Sequence, residues 1–421
     1  MSKDRQTPVG LVADTVSNNW VNRKAPSWSQ PYLRLSRVDR PIGTWLLLLP
    51  CWWGALLAST SDSLGFQLLD LWIVVGCGIG AILMRGAGCT WNDIVDKDID
   101  FKVERTRHRP LPAKQINISS AYIWLFMQLL LAFFILISFN KVAILVGLLS
   151  IIPVIIYPFA KRFTWWPQIF LGIAFNWGVL LSWSAHMGSI DSPAIFLYLS
   201  GIFWTLFYDT IYAHQDTDDD ALIGIKSTAI FFGANSIKWL ITFIILTMSF
   251  YIIAVLDALF FINNSSKVII CIVGIIGFGI HLVWQVSKLD IRDWVSCLKI
   301  FRSNRNAGFI PIIFLVASLF LYYYQISCKC QRQILINSLN YKHLISFLIA
   351  TSVLFVIAFS LSSLIEQTLY KKIDNEITLN KIKWIKLNVD GLKVSLSGEA
   401  PSRLSKLEAI KLIQSVVSPS R

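Results

Sequence analysis

The chain has 421 residues, 55% of them hydrophobic, a mean hydropathy of +0.59 and a formal net charge of +13. A soluble globular domain does not carry so much apolar sequence, so the composition points to a polytopic membrane protein. The positive charge does not indicate nucleic-acid binding, because Lys and Arg fall mainly in loops between apolar runs, where they suit one membrane face and its anionic lipids.

In chain order, residues 1–31 read as a polar N-terminal extension. The first 41 residues contain no apolar core resembling a cleavable signal peptide, which predicts a cytoplasmic N-terminus. Apolar runs then predict spans near 42–60, 68–89, 119–139, 141–159, 168–187, 193–210, 236–258, 267–286, 308–325 and 344–365. With the N-terminus inside, loops 90–118, 160–167, 211–235 and 287–307 fall on one side and hold the basic residues. The opposite loops 61–67, 188–192 and 259–266 contain no Lys or Arg. The asymmetry predicts a single site on the basic face, which the sequence reads as cytoplasmic. The seven cysteines show no disulfide spacing, and Cys328 and Cys330 lack the second pair of a zinc site.

Two acidic clusters each follow an apolar run. Asn92, Asp96 and Asp100 are spaced i, i+4, i+8 and would share one helical face. Such a stripe can hold Mg²⁺ and leave positions for phosphate oxygens. Asp209 and Asp216 lie seven apart, again one face of a helix, with Tyr212 between them and Asp218, Asp219 and Asp220 beyond. An acid at the end of a span is costly unless it is used. Cations stand nearby: Lys161, four residues after Tyr157, and Arg105 and Arg109 after the first cluster could bind phosphate oxygens. Lys97, Lys102, Arg107 and Arg162 read as plain loop charge. Arg85 lies seven residues before Asn92 and deeper in its span, so a carboxylate-bearing acceptor suits it. Gly76, Gly78 and Gly80 read as helix packing, His186 as interfacial and His281 as packing.

These residues carry a resemblance. RGAGCTWNDIVDKDIDFKVERTRHRPLP (85–112), YPFAKRFTWWPQIFLG (157–172) and YDTIYAHQDTDDDALIGIKSTAIFFG (208–233), with DRPIGTWLLLLP (39–50), resemble the UbiA-superfamily prenyltransferases over about 32–325, and within them the bacterial hydroxybenzoate branch. The resemblance implies an all-α polytopic membrane protein, a nine-helix bundle whose cavity opens sideways to lipid. It implies Mg²⁺ held by Asn92, Asp96, Asp100, Asp209 and Asp216. It implies Arg85 near the aromatic carboxylate, and Lys161, Arg105 and Arg109 on a polyprenyl diphosphate. The expected reaction is Mg²⁺-dependent prenylation of 4-hydroxybenzoate ortho to its hydroxyl, in ubiquinone synthesis, with membrane lipids as surroundings and a bacterial inner membrane as location. An Asp of the second cluster is the candidate proton acceptor. Alternatives are the same fold acting on another aromatic or a porphyrin, or an ion transporter with acidic gates.

The remainder departs from that pattern. A linker and extra transmembrane helix are expected over 326–365, and a small α+β tail, weakly similar to part of a BON-type domain, over 366–421. Within it, alternation over 385–398 predicts two short strands around Asp390-Gly391, followed by an amphipathic helix near 402–417.

Overall fold

A computed structural model describes residues 19–102, 106–217, 224–259, 265–331 and parts of 373–405. Two short helices, α1 (Trp20–Lys24) and α2 (Gln30–Leu35), precede the membrane domain. It continues with α3 (Ile42–Ser61), α4 (Leu68–Val95), the short α5 (Lys97–Lys102), α6 (Ile118–Leu136), α7 (Lys141–Leu149) and α8 (Ile151–Phe163). Then come α9 (Pro167–Met187), α10 (Ser192–Ala213), α11 (Thr228–Phe232), α12 (Ser236–Leu259), α13 (Ser265–Lys288) and α14 (Trp294–Gln331). Among the described residues nine helical segments are long and apolar enough to cross a membrane. The expected tenth span, 344–365, and the expected helix near 402–417 lie outside the described residues.

Helices α3, α9, α10 and α12 pack together as the centre, with α13 against α12 and α4 between α3 and α6. The inner layer is aromatic. Trp53 of α3 lies 4.9 Å from Trp204 of α10, 5.2 Å from Tyr251 of α12 and 5.6 Å from Phe278 of α13, ring centre to ring centre. In a bilayer the buried indole N–H groups need partners, because no water reaches them. Trp53 Nε1 donates to the Gly308 carbonyl at 2.9 Å and Trp204 Nε1 to Asn304 Oδ1 at 3.0 Å, and Asn304 Nδ2 donates to Gln285 Oε1 at 3.1 Å. These bonds fasten α14 across α3, α10 and α13. Gly308 must lack a side chain there: a Cβ would meet Trp204 at 2.9 Å and Leu49 at 2.7 Å. On the outside, Ile123, Phe126 and Phe134 of α6 and Ile280 of α13 are exposed, the surface expected of a helix facing lipid.

One boundary differs from the sequence expectation. The segment 294–307, expected as the end of a basic loop, forms the first turns of α14. Its charges hide a helical period: Cys297, Ile300, Phe301, Asn304 and Ala307 are buried on one face, while Arg302 and Arg305 are exposed on the other. His186 closes α9 as expected, its side chain enclosed between Asp70, whose Oδ1 lies 2.5 Å from Nδ1, and Asp62, 3.4 Å from Nε2.

The chain divides into two units, Met1–Cys328 and Lys329–Arg421. The second contains the two expected strands, β1 (Lys386–Asp390) and β2 (Lys393–Ser397), antiparallel, with Asp390 opposite Lys393 and Lys386 opposite Ser397. Ile373 and Ile377 pack with Ile382, Ile385 and Leu387.

Asn304→Ala would leave the Trp204 N–H and the Gln285 amide buried without each other's bridge. The expected loss is about 1–3 kcal/mol, read as a lower thermal midpoint in detergent; an unchanged midpoint would show that the bridge does not hold α14 in place.

Candidate functional site

The first acidic cluster forms where α4 ends. Backbone hydrogen bonds run from Asp96 N to Asn92 O at 2.9 Å and from Asp100 N to Asp96 O at 2.8 Å. The helical register therefore passes through the break into α5, and the i, i+4, i+8 relation holds along the backbone. Acids at a helix C-terminus oppose its dipole, and buried ones also lose water, so each needs a cation. Asp96, fully buried, pairs with Lys161 Nζ and, at 3.3 Å, with Arg162 Nη2, both from the last turn of α8. Asp100 pairs with Arg109 Nη1 at 2.7 Å. Asp93, also fully buried, receives Arg37 at 2.5 Å and Arg109 at 3.3 Å. Arg162, read in the sequence as plain loop charge, is thus part of the cluster.

The cluster adjoins a cavity of about 610 Å³. Its wall follows α4 from Asn92 to Gly76, roughly 24 Å at the helical rise of about 1.5 Å per residue. The polar end carries Asn92, Arg109, Arg37, Arg40, Arg302 and Arg305. The middle carries Arg85, Tyr157, Tyr208, Asp209 and Tyr212. The far arm is lined by Phe133, Leu136 and Phe139 with Leu148 and Ile151. Gly76 and Gly80, expected only to pack helices, are on this wall, and a Cβ on Gly80 would meet nothing within 4 Å.

Arg85 is held by shape. Its guanidinium stands 5.3 Å from the Phe175 ring centre and packs so closely on α3 that a Cβ at Gly43 would come within 2.5 Å of it. Its Nε is buried with no hydrogen-bond partner among the described residues. Asp209, on the facing helix α10, is half-buried, and its electrostatic neighbours include Arg85 and Tyr157. Among the described residues no side chain donates a hydrogen bond to it. The cavity therefore offers a guanidinium and a carboxylate with unused capacity between its polar end and its apolar arm.

Of the residues expected from sequence, Arg85, Asn92, Arg109, Tyr157, Asp209 and Tyr212 share this cavity wall. Asp100 is joined to that wall by its ion pair with Arg109, Asp96 follows the wall residue Asn92 by one helical turn, and Lys161 pairs with Asp96. Asp216 stands beyond α10, which ends at Ala213, on a turn in which its N–H bonds the Ala213 carbonyl at 3.2 Å, and it is not on this cavity wall. Arg105 and Asp218–Asp220 lie outside the described residues. Among the described residues no three His, Cys, Asp or Glu side chains converge as a ligand set. The acids of the first cluster are instead matched by cations. Sequence reasoning did not single out Arg37, Arg40 or Asp93. Their signals were weak: two arginines ahead of the first span, and an Asp off the i, i+4, i+8 stripe.

The titrations outside the membrane follow the ion pairs. Burial raises the Asp100 carboxyl, Arg109 opposes it, and Asp93 and Asp96 add to the rise. Burial alone would lower the Arg37 guanidinium, but Asp93 beside it brings the net shift upward.

A sequence model of the UbiA prenyltransferase family matches residues 47–310. The mitochondrial 4-hydroxybenzoate polyprenyltransferase of Bos taurus is 45% identical over 315 residues, covering 74% of this chain and 80% of that protein. The Homo sapiens protein of the same name is 46% identical over 295 residues, covering 69% and 76%. Among solved structures, a UbiA homolog from Aeropyrum pernix K1 superposes with a TM-score of 0.52 at 21% identity, covering 66% of this chain and 97% of that one. A UbiA homolog from Archaeoglobus fulgidus bound to GPP and Mg²⁺ gives 0.52 at 21% identity, covering 69% and 99%. At such identity these two establish the fold alone. The curated relatives overturn one expectation. They are mitochondrial proteins, from Bos taurus and Homo sapiens to Dictyostelium discoideum, so the bacterial inner membrane does not stand as the location. Loop charge tells which face is basic; it does not tell which membrane is crossed.

Lys161→Met would leave Asp96 with Arg162 alone. Because Lys161 is 24% exposed and one partner remains, the expected loss is about 2 kcal/mol, below the full cost of stranding a buried charge. A thermal midpoint equal to that of the parent would show that the pair contributes no stability.

Proposed function

The chain belongs to the UbiA prenyltransferase family, and from that premise we propose that it transfers a polyprenyl group from polyprenyl diphosphate to 4-hydroxybenzoate. The product carries the new bond at the ring carbon ortho to the hydroxyl, as ubiquinone synthesis requires, and a mitochondrial membrane is the setting the relatives favour. The observation that carries the proposal is the joining, in one cavity, of an arginine-rich polar end, the Arg85–Asp209 middle and an apolar arm. A diphosphate, an aromatic carboxylate and an isoprenoid tail are three groups with those three needs.

The donor set fits Mg²⁺, which prefers carboxylate and amide oxygens. Asn92 and Asp209 offer oxygens to the cavity, and Asp96 and Asp100 stand beside it. These four are the ligands we propose. Asp216, half-buried beyond α10, is not on the wall, and the set does not rely on it. When bound, Mg²⁺ offsets the charge that grows on the diphosphate as it departs. Arg109 and Lys161 add positive charge beside the same oxygens, and Arg105, four residues before Arg109 in the sequence, is a further candidate.

Arg85 takes the acceptor carboxylate, its fork matching two oxygens, while Gly43 and Phe175 fix its plane. The ring then lies with its electron-rich ortho carbon toward the allylic carbon. The carbon–oxygen bond to the diphosphate breaks, its electron pair leaving with the diphosphate. The ring supplies the pair for the new carbon–carbon bond and releases the ortho proton. Asp209, facing Arg85 and Tyr157, is the proton acceptor we propose, through the carboxylate oxygen it does not give to the metal; Tyr157 and Tyr212 share the cavity wall with it. The apolar arm keeps water from the allylic cation.

Purified protein with Mg²⁺, polyprenyl diphosphate and 4-hydroxybenzoate is expected to give the ortho-prenylated acid. Asp96→Ala is expected to lower turnover by about 10²–10³-fold, the scale of losing one electrostatic stabiliser of a departing anion. Product formed equally well without divalent metal, or an undiminished Asp96→Ala, would refute the proposed diphosphate site. Prenylation of a different aromatic alone would leave the fold and refute the acceptor.

A further inference from the structure

Asp93 has no role in the scheme above, yet it is among the most constrained acids in the chain. It is fully buried at the last turn of α4. One oxygen, Oδ1, accepts from Arg37 at 2.5 Å and from Arg109 at 3.3 Å. Among the described residues its other oxygen is buried without a donor, so the hold on both arginines rests on Oδ1. Arg37 is 6% exposed and adopts φ +58°, a left-handed conformation that a residue with a side chain takes only at a cost in free energy. Its backbone N–H and its Nη1 both bond the Arg34 carbonyl, at 3.0 and 3.1 Å. The segment between α2 and α3 is thus bent so that a guanidinium reaches Asp93. Arg37 and Arg109 both reach the cavity wall, whereas Asp93 does not. The same Arg109 nitrogen that bonds Asp93 also bonds Asp100.

We propose that Asp93 is a positioning residue and not a metal ligand: with Arg37 it holds Arg109 between two carboxylates and so sets the arm that meets the diphosphate. This rests on the prenyl-diphosphate reading above. With two carboxylates to share, Arg109 stays at the cavity's polar end with Asp100 only partly neutralised. Without the Asp93 charge, Arg109 leans further toward Asp100, that carboxylate becomes a poorer metal ligand, and Arg37 loses the carboxylate its bent backbone reaches. Asp93 and Arg37 then act as one unit, and removing either has the effect of removing both.

The test uses full-length protein in detergent, with inorganic pyrophosphate plus Mg²⁺ as the probe and steady-state kinetics alongside. Asp93→Asn and Arg37→Gln are each expected to weaken pyrophosphate binding about tenfold, and the double variant no more than either alone. In the assay the KM for polyprenyl diphosphate rises by the same factor while the KM for the acceptor is unchanged, a split that a general loss of structure does not give. Arg37→Lys, which keeps the charge, recovers part of the affinity. Three results overturn the proposal: single effects that multiply in the double variant; loss of all Mg²⁺-dependent binding in Asp93→Asn with none in Arg37→Gln, the signature of a direct ligand; or unchanged binding in both. If Asp93→Asn does not fold, Arg37→Gln against Arg37→Lys decides, and equal affinities in the two overturn the proposal. A parent protein that binds no Mg²⁺–pyrophosphate would instead overturn the diphosphate reading, and the proposal with it.

Discussion

Three buried carboxylates at the end of one membrane helix set the terms for the rest of the site. Asp93, Asp96 and Asp100 stand where the dipole of α4 is already negative and where water is scarce, so each must be matched by a cation from another part of the chain. The matching groups come from the segment before α3 (Arg37), from the loop after α5 (Arg109) and from the last turn of α8 (Lys161 and Arg162). One electrostatic requirement thereby fixes the relative positions of segments distant in sequence. A cluster so balanced suits a ligand that brings both signs of charge, a diphosphate with its metal.

The apolar half of the structure has a complementary task. The ring cluster of Trp53, Trp204, Tyr251 and Phe278 holds α3, α10, α12 and α13 together behind the cavity, and the indole bonds to Gly308 and Asn304 lock α14 to it. With that wall fixed, Arg85 is set by contact, between Gly43 and Phe175, and among the described residues it has no ion pair of its own. This leaves its guanidinium free to take an anion from a substrate. The same cavity then runs into an apolar arm, so charge recognition and tail burial occur in one continuous space.

Much of this was legible in the sequence. Of the ten apolar runs, nine match the spans found among the described residues, because the bilayer demands length and hydropathy and little else. The i, i+4, i+8 stripe survived because backbone bonds continue from α4 into α5. Other features left no such trace. Asp216 stands past the end of α10 at Ala213 and off the cavity wall, a boundary that seven-residue spacing cannot reveal. The first turns of α14 were hidden because exposed Arg302 and Arg305 lower the hydropathy of a helix whose opposite face is buried. Arg37 precedes the first span in a polar stretch without periodicity, and its bent backbone appears only in three dimensions. The location was not legible either: the motifs that identify the chemistry say nothing of the compartment, and the curated relatives, as mitochondrial proteins, overturn the expected bacterial inner membrane.

The account depends most on Arg85 reading a carboxylate. The direct measurement compares prenylation of 4-hydroxybenzoate with that of 4-hydroxybenzamide, its neutral analogue, in the parent protein and in Arg85→Ala. The parent is expected to favour the acid by about 10²-fold or more in kcat/KM, and Arg85→Ala to lose most of that preference through the acid's KM, the scale of losing a charged bidentate contact. A preference that survives intact in Arg85→Ala would contradict the account and assign the carboxylate to another cation of the cavity.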